Sequence, residues 1–501
     1  MTRAYSTFFN KNITNFWFYT ALGFFILVLV TNAVAIRVMP SWLDEAFFSD
    51  IVFNLSHGSG FRVEIIPGQE NPIYIYGPIF FVLQKLVGFI LEFGEVSARI
   101  IDFGSGVLIA ALFGFLVYSS TRSRHYSLLT FTLIIGDVSV NSSMYLGRMD
   151  LLATLYVVLS YMVVRRALVN AGWASLLGLF MALAILTTPR SIFLLFGVAA
   201  YIGFLSIKII GRPGWIRRIF ITYSWTFLAL AVLWGSWILW VGGFANYIDL
   251  NSEANIKSHW GISIFRSWYD NIAILLMLLL VATCYQKIKS NLCVLSFFVS
   301  FLAFSFFAKQ IGPYAGMVMP FVYAIIASIL QSAIRGMNKW YKYFIVTAIL
   351  SIFGVQASVM VAKISNLYIY DSCRDHVAFQ NKILANIPHH QTVLSEFRYY
   401  FAVRKQKPSV FEVIEFNNPE HIIEKLKPGY ILLNTSKIEH PKDGTEKGIA
   451  ALIATEYQPL ERFGCTAHSL GRIGNYIASR AYGNQEKTFK NATLFKRRPD
   501  S

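Results

Sequence analysis

Long apolar runs dominate this chain of 501 residues and restrict it to folds that hold them in a lipid bilayer. The first run, residues 16–36, reaches the roughly 20 residues that a helix needs to cross a hydrocarbon core. It exceeds a signal-peptide core, and no small-residue cleavage pattern follows it, so we expect an uncleaved anchor. Further runs cover residues 107–118, 128–144, 151–164, 176–187, 192–207, 220–241, 272–285, 292–307, 317–330 and 343–361.

The composition agrees with this pattern, since 55% of the residues are hydrophobic and only 14% are charged. Soluble domains are closer to one quarter charged. The sequence therefore predicts a polytopic α-helical membrane protein.

The connections between the runs alternate in charge. Basic connections lie at residues 121–125, 165–166, 208–218, 287–289 and 335–342, whereas those around residues 44, 150, 189, 251 and 310 are not basic. The positive-inside rule places the basic set in the cytoplasm. We therefore expect about 11 transmembrane helices (11–13) in the cytoplasmic (inner) membrane, with the N-terminus inside and the C-terminus outside.

One further segment, residues 73–92, is also long enough to span. Counting it as a span would reverse the side assigned to every later basic loop. We therefore expect an amphipathic or shallow helix on the outer face.

Residues 364–501 lack such apolar runs and have the size of one soluble domain. Alternating patterns predict strands at 392–395, 430–433 and 475–479, and a helix at 419–426 with Asn418 as its cap. We expect a transmembrane domain at 1–363, with its first outer loop at 37–96, and an extracytoplasmic α/β domain at 364–501. Whether Cys373 and Cys465 form a disulfide there stays open.

The net charge of +17 is explained by the basic inner loops and a basic C-terminal end. No basic, aromatic-interleaved motif occurs in a soluble segment, so we expect no nucleic-acid partner. Lipid phosphates are the more natural partners of outward-facing cations, and no Cys/His spacing indicates structural zinc.

An acidic pair, Asp44-Glu45, follows the first apolar run. Burying an unpaired charge in hydrocarbon costs several kcal/mol, so these carboxylates belong in interfacial water or in a polar cavity. There they could take a proton, orient a hydroxyl or hold a cation. The alternative is a charge cluster that interacts favourably with a helix N-terminus.

Under the expected topology, other ionisable and aromatic residues share the outer face with this pair. They are His57, Glu70, Tyr76, Arg148, Asp150, Arg190, Lys309 and Tyr314. Their convergence from distant runs indicates a polar functional cavity. Each also has a structural explanation: Arg148 can pair with Asp150, Arg190 and Lys309 can extend to headgroups, and His57 can be a loop residue.

The order of these motifs resembles the GT-C class of integral-membrane glycosyltransferases, which includes the protein O-mannosyltransferases and the lipid A aminoarabinose transferase. The resemblance covers about the first 330 residues. It lies in the acidic motif at 42–46, the element at 76–80 followed by the motif at 93–99, the turn at 145–150 and, loosely, the turn at 187–190. Gly77 stands where the family usually has a proline, and Arg190 is the nearest cation to an expected lysine.

This resemblance implies transfer of a sugar from a polyprenyl-phosphate donor to a lipid, glycan or protein acceptor outside the cytoplasmic membrane. It makes Asp44 the base, with Glu45 or Asp150 orienting acceptor or sugar. Candidate phosphate ligands are Arg148, Arg190 and Lys309, and candidate substrate contacts are His57, Glu70, Tyr76 and Tyr314.

Some relatives use a divalent cation, which Asp44, Glu45 and Asp150 suit by residue type; no other cofactor is implied. The alternative function is a multi-pass transporter or a lipid-linked-glycan flippase or polymerase. The sequence has no clear two-fold pattern of the kind that many transporters show.

Overall fold

The computed structural model describes residues 2–38, 43–65, 76–248, 268–289, 291–307, 314–333, 338–369, 376–388, 391–404, 410–412, 419–441, 444–463 and 492–499. Several predictions concern residues outside these ranges. They are the strand at 475–479 and the residues Glu70, Lys309, Cys373, Asn418 and Cys465.

The described residues up to position 369 are mostly helical. Its helices are α1 (Thr2–Val38), α2 (Leu43–Ser56), α3 (Ile79–Leu91), α4 (Glu95–Thr121), α5 (Arg124–Gly136), α6 (Val138–Ser143), α7 (Asp150–Ala167), α8 (Ala171–Ile185), α9 (Ser191–Ile209), α10 (Trp215–Trp240), α11 (Trp268–Ile288), α12 (Leu292–Phe307), α13 (Ala315–Ala333) and α14 (Lys339–Ile369).

Within the described ranges, five helical segments are long and apolar enough to cross a membrane, namely Phe18–Arg37, Glu95–Thr121, Ser191–Ile209, Trp215–Trp240 and Lys339–Ile364. Shorter apolar helices accompany them. On α10 the side chains of Phe220, Phe227 and Leu239 are exposed, as expected of a helix that faces lipid. The predicted polytopic helical class is confirmed, whereas the number of spans stays a prediction.

Helix α3 is the part of segment 73–92 that the structure describes as helical. It has 13 residues, fewer than the roughly 20 that a span requires. Phe89 and Ile90 near its end are exposed, while Phe80 and Phe81 at its start are buried. Whether this segment lies on the outer face as a shallow helix stays a prediction.

Helix α13 lies at the centre of the helical part. It packs against α4, α5, α6, α7, α11 and α12, and its residues 316–330 are buried. Its apolar residues surround the whole helix, which is the pattern of a helix enclosed by other helices. The helices that carry the polar residues of the outer loops are therefore held around one core.

The C-terminal part contains a five-stranded sheet in the order β2-β1-β3-β5-β4. Its strands are β1 (Val393–Ser395), β2 (Val410–Glu412), β3 (Tyr430–Asn434), β4 (Tyr457–Phe463) and β5 (Ala492–Arg497). The pairs β1–β2 and β1–β3 are parallel, and β5 runs antiparallel to β3 and β4.

The helices of this part are α15 (His376–Asn386), α16 (Tyr400–Arg404), α17 (Pro419–Leu426), α18 (Thr435–Glu439) and α19 (Gly444–Glu456). Strands β1 and β3 and helix α17 confirm the α/β pattern predicted for this region. The domain boundary at residue 364 stays a prediction.

Helix α16 connects the sheet to the transmembrane part through α2. The Arg404 guanidinium lies 3.1 Å from the Asp50 carboxylate and 2.8 Å from that of Glu64. The Tyr400 hydroxyl donates to Asp50 at 3.1 Å. Because Asp44 lies in the first turn of α2, this contact ties the C-terminal part to the helix that carries the acidic motif.

Candidate functional site

Helix α2 begins at Leu43, so Asp44 and Glu45 lie in its first turn. Acidic residues there interact favourably with the helix dipole, which is the structural role we considered for the pair. The two side chains nevertheless have different surroundings. Asp44 is about one third exposed, with a side-chain exposure of 36%, whereas Glu45 is 1% exposed.

Arg148 connects Asp44 to Asp150. Its Nη1 donates to Asp44, and its Nε donates to the Asp150 carboxylate at 2.7 Å. The Arg148 side chain is 3% exposed. The turn before α7 thus delivers both the arginine and Asp150 to the start of α2, although 104 positions separate Arg148 from Asp44. Asp150 pairs with Arg148, which is the structural explanation that we considered for these two residues. Asp44 is a second carboxylate partner of the same arginine.

Glu45 forms a buried ion pair with Arg99 of α4. The Arg99 Nε and Nη2 donate to the two carboxylate oxygens at 2.5 and 2.8 Å. The Arg99 Nη1 also donates to the backbone carbonyl of Ile36 at 2.9 Å, at the end of α1. This bidentate pair fastens α1, α2 and α4 together and turns Glu45 away from the exposed side of Asp44.

Gly147 allows this packing. Its φ is +60°, in the left-handed region that favours glycine, and a Cβ at this position would lie 2.8 Å from Glu45 Oε1. The turn that presents Arg148 therefore rests directly on the Glu45 side chain.

Arg190 and Tyr314 form the second half of the site. The Arg190 guanidinium lies 4.3 Å from the centre of the Tyr314 ring and 5.9 Å from that of Tyr76. The guanidinium of Arg148 lies 5.0 Å from the same Tyr314 ring. Both arginines thus contact the same tyrosine ring. Among the described residues, the buried Nε of Arg190 has no hydrogen-bond partner.

Gly77 explains how Tyr76 reaches this position. A Cβ on Gly77 would lie 2.0 Å from the backbone oxygen of Leu186, and the Ile79 amide donates to that oxygen at 3.3 Å. The segment at 76–79 therefore packs against the end of α8, four residues before Arg190. A proline at position 77, usual in the resembled family, has no room here.

Asp102 is a buried carboxylate that our sequence analysis did not select. It lies one turn after Arg99 on α4, is fully buried, and neighbours Asp150, Arg148 and Glu45. Arg99 itself belongs to a motif we recognised, but without an assigned role. The turn spacing between positions 99 and 102 was the available signal, since both side chains lie on one face of a helix.

Not every predicted residue belongs to this cluster. His57 lies at the far end of α2, about 20 Å along the helix from Asp44 at 1.5 Å per residue. Its ring stacks on Phe53 with 4.1 Å between the centres, and its Nδ1 is 2.8 Å from the Phe53 carbonyl oxygen.

The described residues contain no group of three or more His, Cys, Asp or Glu side chains placed to hold a metal ion. Asp44 and Asp150 face Arg148, and Glu45 faces Arg99. This arrangement of carboxylates and arginines does not fit a divalent cation.

Comparison with known proteins places this arrangement in a recognised fold. No protein-family model matches the chain, and no curated protein matches its sequence. Among solved structures, ArnT from Cupriavidus metallidurans bound to undecaprenyl phosphate matches with a TM-score of 0.56 and 12% identity, over 95% of this chain and 97% of that chain. The apo state of the same protein gives a TM-score of 0.55 at 12% identity, with the same shares of both chains.

The oligosaccharyltransferase of Archaeoglobus fulgidus in the apo form also matches. Its TM-score is 0.51 at 11% identity, over 89% of this chain and 74% of that chain. ArnT, a lipid A aminoarabinose transferase, and the oligosaccharyltransferase both belong to the GT-C class. The resemblance inferred from the short motifs is therefore confirmed at the level of the fold.

Proposed function

We propose that this protein is a glycosyltransferase that moves a sugar from a polyprenyl-phosphate donor to a lipid, glycan or protein acceptor of the cell envelope. We place the reaction on the outer face of the cytoplasmic membrane. One observation carries the proposal: a partly exposed carboxylate, Asp44, pairs with Arg148, and the guanidinium of Arg148 shares the Tyr314 ring with the buried Arg190.

Asp44 is the proposed general base. The reaction forms a bond between an acceptor hydroxyl oxygen and the anomeric carbon, while the bond from that carbon to the phosphate oxygen breaks. The hydroxyl proton passes to Asp44, the more exposed of the two acids in the motif. Arg148 holds the Asp44 carboxylate in place, and Asp150 orients Arg148 from the other side.

Arg190 is the proposed main ligand of the departing phosphate. The transition state resembles an oxocarbenium ion, so the leaving phosphate gains negative charge as the bond breaks. A guanidinium with a free Nε suits a phosphate because it can donate two parallel hydrogen bonds. The guanidinium of Arg148 lies 5.0 Å from the centre of the same Tyr314 ring and is a second cation near this region.

Glu45 and Asp102 are the proposed supporting acids. Glu45 is occupied by Arg99, so its role is to position α2 rather than to contact substrate. Asp102 is a buried neighbour of both Arg148 and Asp150. Lys309 remains a proposed phosphate ligand, and Glu70, Tyr76 and Tyr314 remain proposed substrate contacts. The fold similarity to ArnT supports a lipid-linked donor in general terms.

Asp44→Asn tests this proposal. The substitution keeps the size of the side chain and removes the base, so we expect it to abolish transfer without affecting membrane insertion. The measurement is mass spectrometry of envelope glycolipids and glycoproteins from cells that carry the wild-type chain, the variant or no chain. The variant should reproduce the profile of the cells without the chain.

Glu92→Gln is a matched control, because Glu92 is an exposed acid after α3 outside the cluster. It should restore the wild-type profile. A wild-type sugar profile in Asp44→Asn cells would refute the assignment of the base. A stable wild-type protein whose removal changes no envelope sugar would instead favour the transporter alternative.

A further inference from the structure

A second cationic feature lies at the other end of the helices that carry the candidate site. A cavity of about 370 Å³ opens between the C-terminal ends of α4 and α7, the middle of α9 and the start of α12. Three arginines from two basic connections line it: Arg122, Arg165 and Arg166. We call it the triple-arginine cavity. Its volume lies within the usual range of small-molecule sites.

The triple-arginine cavity is far from the candidate site. Helix α7 begins with Asp150 at the site and ends beyond Arg165, which is roughly 22 Å away along the helix axis at 1.5 Å per residue. Helix α4 likewise runs from Arg99 to the turn at Arg122. A phosphate bound by the arginines of the cavity is therefore far from the candidate site at the start of α7.

Two of these arginines contact neutral side chains, which do not compensate their positive charge. The Arg165 Nε donates to the Tyr201 hydroxyl at 2.8 Å, and the Arg166 guanidinium lies 4.8 Å from the centre of the Trp173 ring. Within the described part of the chain, none of the three arginines has a carboxylate partner. Among the described residues, the three cations around this cavity thus have no anionic partner, and two of them contact aromatic side chains.

The rest of the cavity wall is apolar, which indicates the source of such an anion. Phe115, Leu116 and Met162 form an apolar side of the cavity. The Phe115 side chain is also 53% exposed on the surface of the apolar helix α4, where we expect lipid chains. The cavity therefore has a cationic end, and an apolar end that continues onto the surface facing lipid.

We propose that the triple-arginine cavity binds the phosphate of an anionic lipid at the membrane face opposite the candidate site. The arginines contact the phosphate oxygens, Arg165 being pre-oriented by Tyr201, and the acyl chains leave past Phe115. Basic cavities between transmembrane helices are suited to anionic headgroups. This proposal does not depend on the reaction at Asp44.

The test is native mass spectrometry of the purified full chain in detergent, titrated with phosphatidylglycerol or with diacylglycerol, which lacks the phosphate. We expect phosphatidylglycerol to bind and diacylglycerol to bind at least tenfold more weakly. The variant Arg165→Gln/Arg166→Gln should lose about 25-fold in phosphatidylglycerol affinity, about fivefold for each basic residue at an anionic surface. Arg165→Lys/Arg166→Lys should retain most of the binding.

Arg217→Gln is the matched control, because Arg217 is an exposed arginine at the start of α10, outside the cavity. It removes a cation from another basic connection and should leave the affinity unchanged. An equal loss in Arg217→Gln would overturn the proposal, since binding would then reflect general surface charge. Inorganic phosphate that binds alone as tightly as phosphatidylglycerol would overturn the assignment to a lipid.

Discussion

At the scale of single residues, the two acids of the motif have different surroundings and different proposed roles. Successive residues of a helix point about 100° apart, so Asp44 and Glu45 cannot share one environment. Glu45 enters the core and pairs with Arg99, while Asp44 stays partly exposed and pairs with Arg148. The adjacent acids of the motif therefore support the proposed site in different ways, one by position and one by chemistry.

Arg190 provides a test of the phosphate assignment at this scale. Arg190→Gln removes the charge that we place on the leaving phosphate, and a charged hydrogen bond contributes about 1.5–3 kcal/mol. We expect undecaprenyl phosphate to bind the purified variant about 10- to 150-fold more weakly, measured by competition or native mass spectrometry. Arg190→Lys should recover only part of this loss, because lysine cannot form the bidentate contact.

Arg62→Gln is the control for this measurement, since Arg62 is an exposed cation of the first outer loop. It should bind undecaprenyl phosphate as the wild-type chain does. Unchanged binding in Arg190→Gln would exclude Arg190 as the phosphate ligand and leave Arg148 or Lys309 as the candidates.

At the scale of elements, the site depends on short turns that bring helix ends together. The turn before α7 presents Arg148, and its Gly147 touches Glu45 at the start of α2. The segment before α3 packs through Gly77 on the end of α8 and brings Tyr76 towards Arg190. The side chains of the candidate site lie at the ends of helices. Small shifts of the connecting turns therefore move the charged groups relative to one another.

Gly147→Ala tests this dependence. An alanine at φ +60° costs about 1–2 kcal/mol, and its Cβ would displace the Glu45 carboxylate from Arg99. We expect a lower thermal midpoint in detergent and at least a tenfold loss of transferase activity.

Gly104→Ala in α4 is the matched control, because a Cβ there would meet no other atom within 4 Å. That substitution should leave both quantities close to wild type. Wild-type stability and activity in Gly147→Ala would show that the turn tolerates a side chain and does not position Arg148.

At the scale of the whole molecule, the contact between α16 and α2 couples the C-terminal sheet to the candidate site. Asp50 is completely buried, and burial raises the pKa of its carboxyl while the neighbouring Arg404 guanidinium acts to lower it. The amides of Glu64 and Ile65 also donate to Asp50, at 2.6 and 3.3 Å. The carboxylate thus links the segment that follows α2 to the C-terminal part.

Arg404→Gln should weaken the contact between the C-terminal part and α2. It leaves the Asp50 carboxylate buried without its cation, a change that typically costs about 3–5 kcal/mol. We expect a lower thermal midpoint and faster proteolysis between α14 and β1, measured on the full chain in detergent.

The double variant Asp50→Asn/Arg404→Gln should recover much of the loss, because no uncompensated charge remains. Arg462→Gln is the control, since its pair with Glu439 is exposed and such pairs contribute little. Equal effects of Arg404→Gln and Arg462→Gln would contradict the proposed anchoring.

Hydropathy and short motifs were sufficient to predict the polytopic helical class, the α/β pattern after residue 364 and the resemblance to the GT-C class. These features depend on local composition and on the order of residues along the chain. The same patterns correctly grouped Asp44, Arg148, Asp150, Arg190, Tyr76 and Tyr314. The positive-inside rule alone justified that grouping, because it assigned their loops to one face.

Pairing between distant residues could not be predicted in this way. The partner of Glu45 is 54 positions away, and that of Asp50 is 350 positions away. Hydropathy says which loops share a face, but not which side chains meet there. That depends on helix rotation and on close packing around α13, which positions Asp44 beside Arg148, Glu45 against Arg99, and His57 outside the cluster.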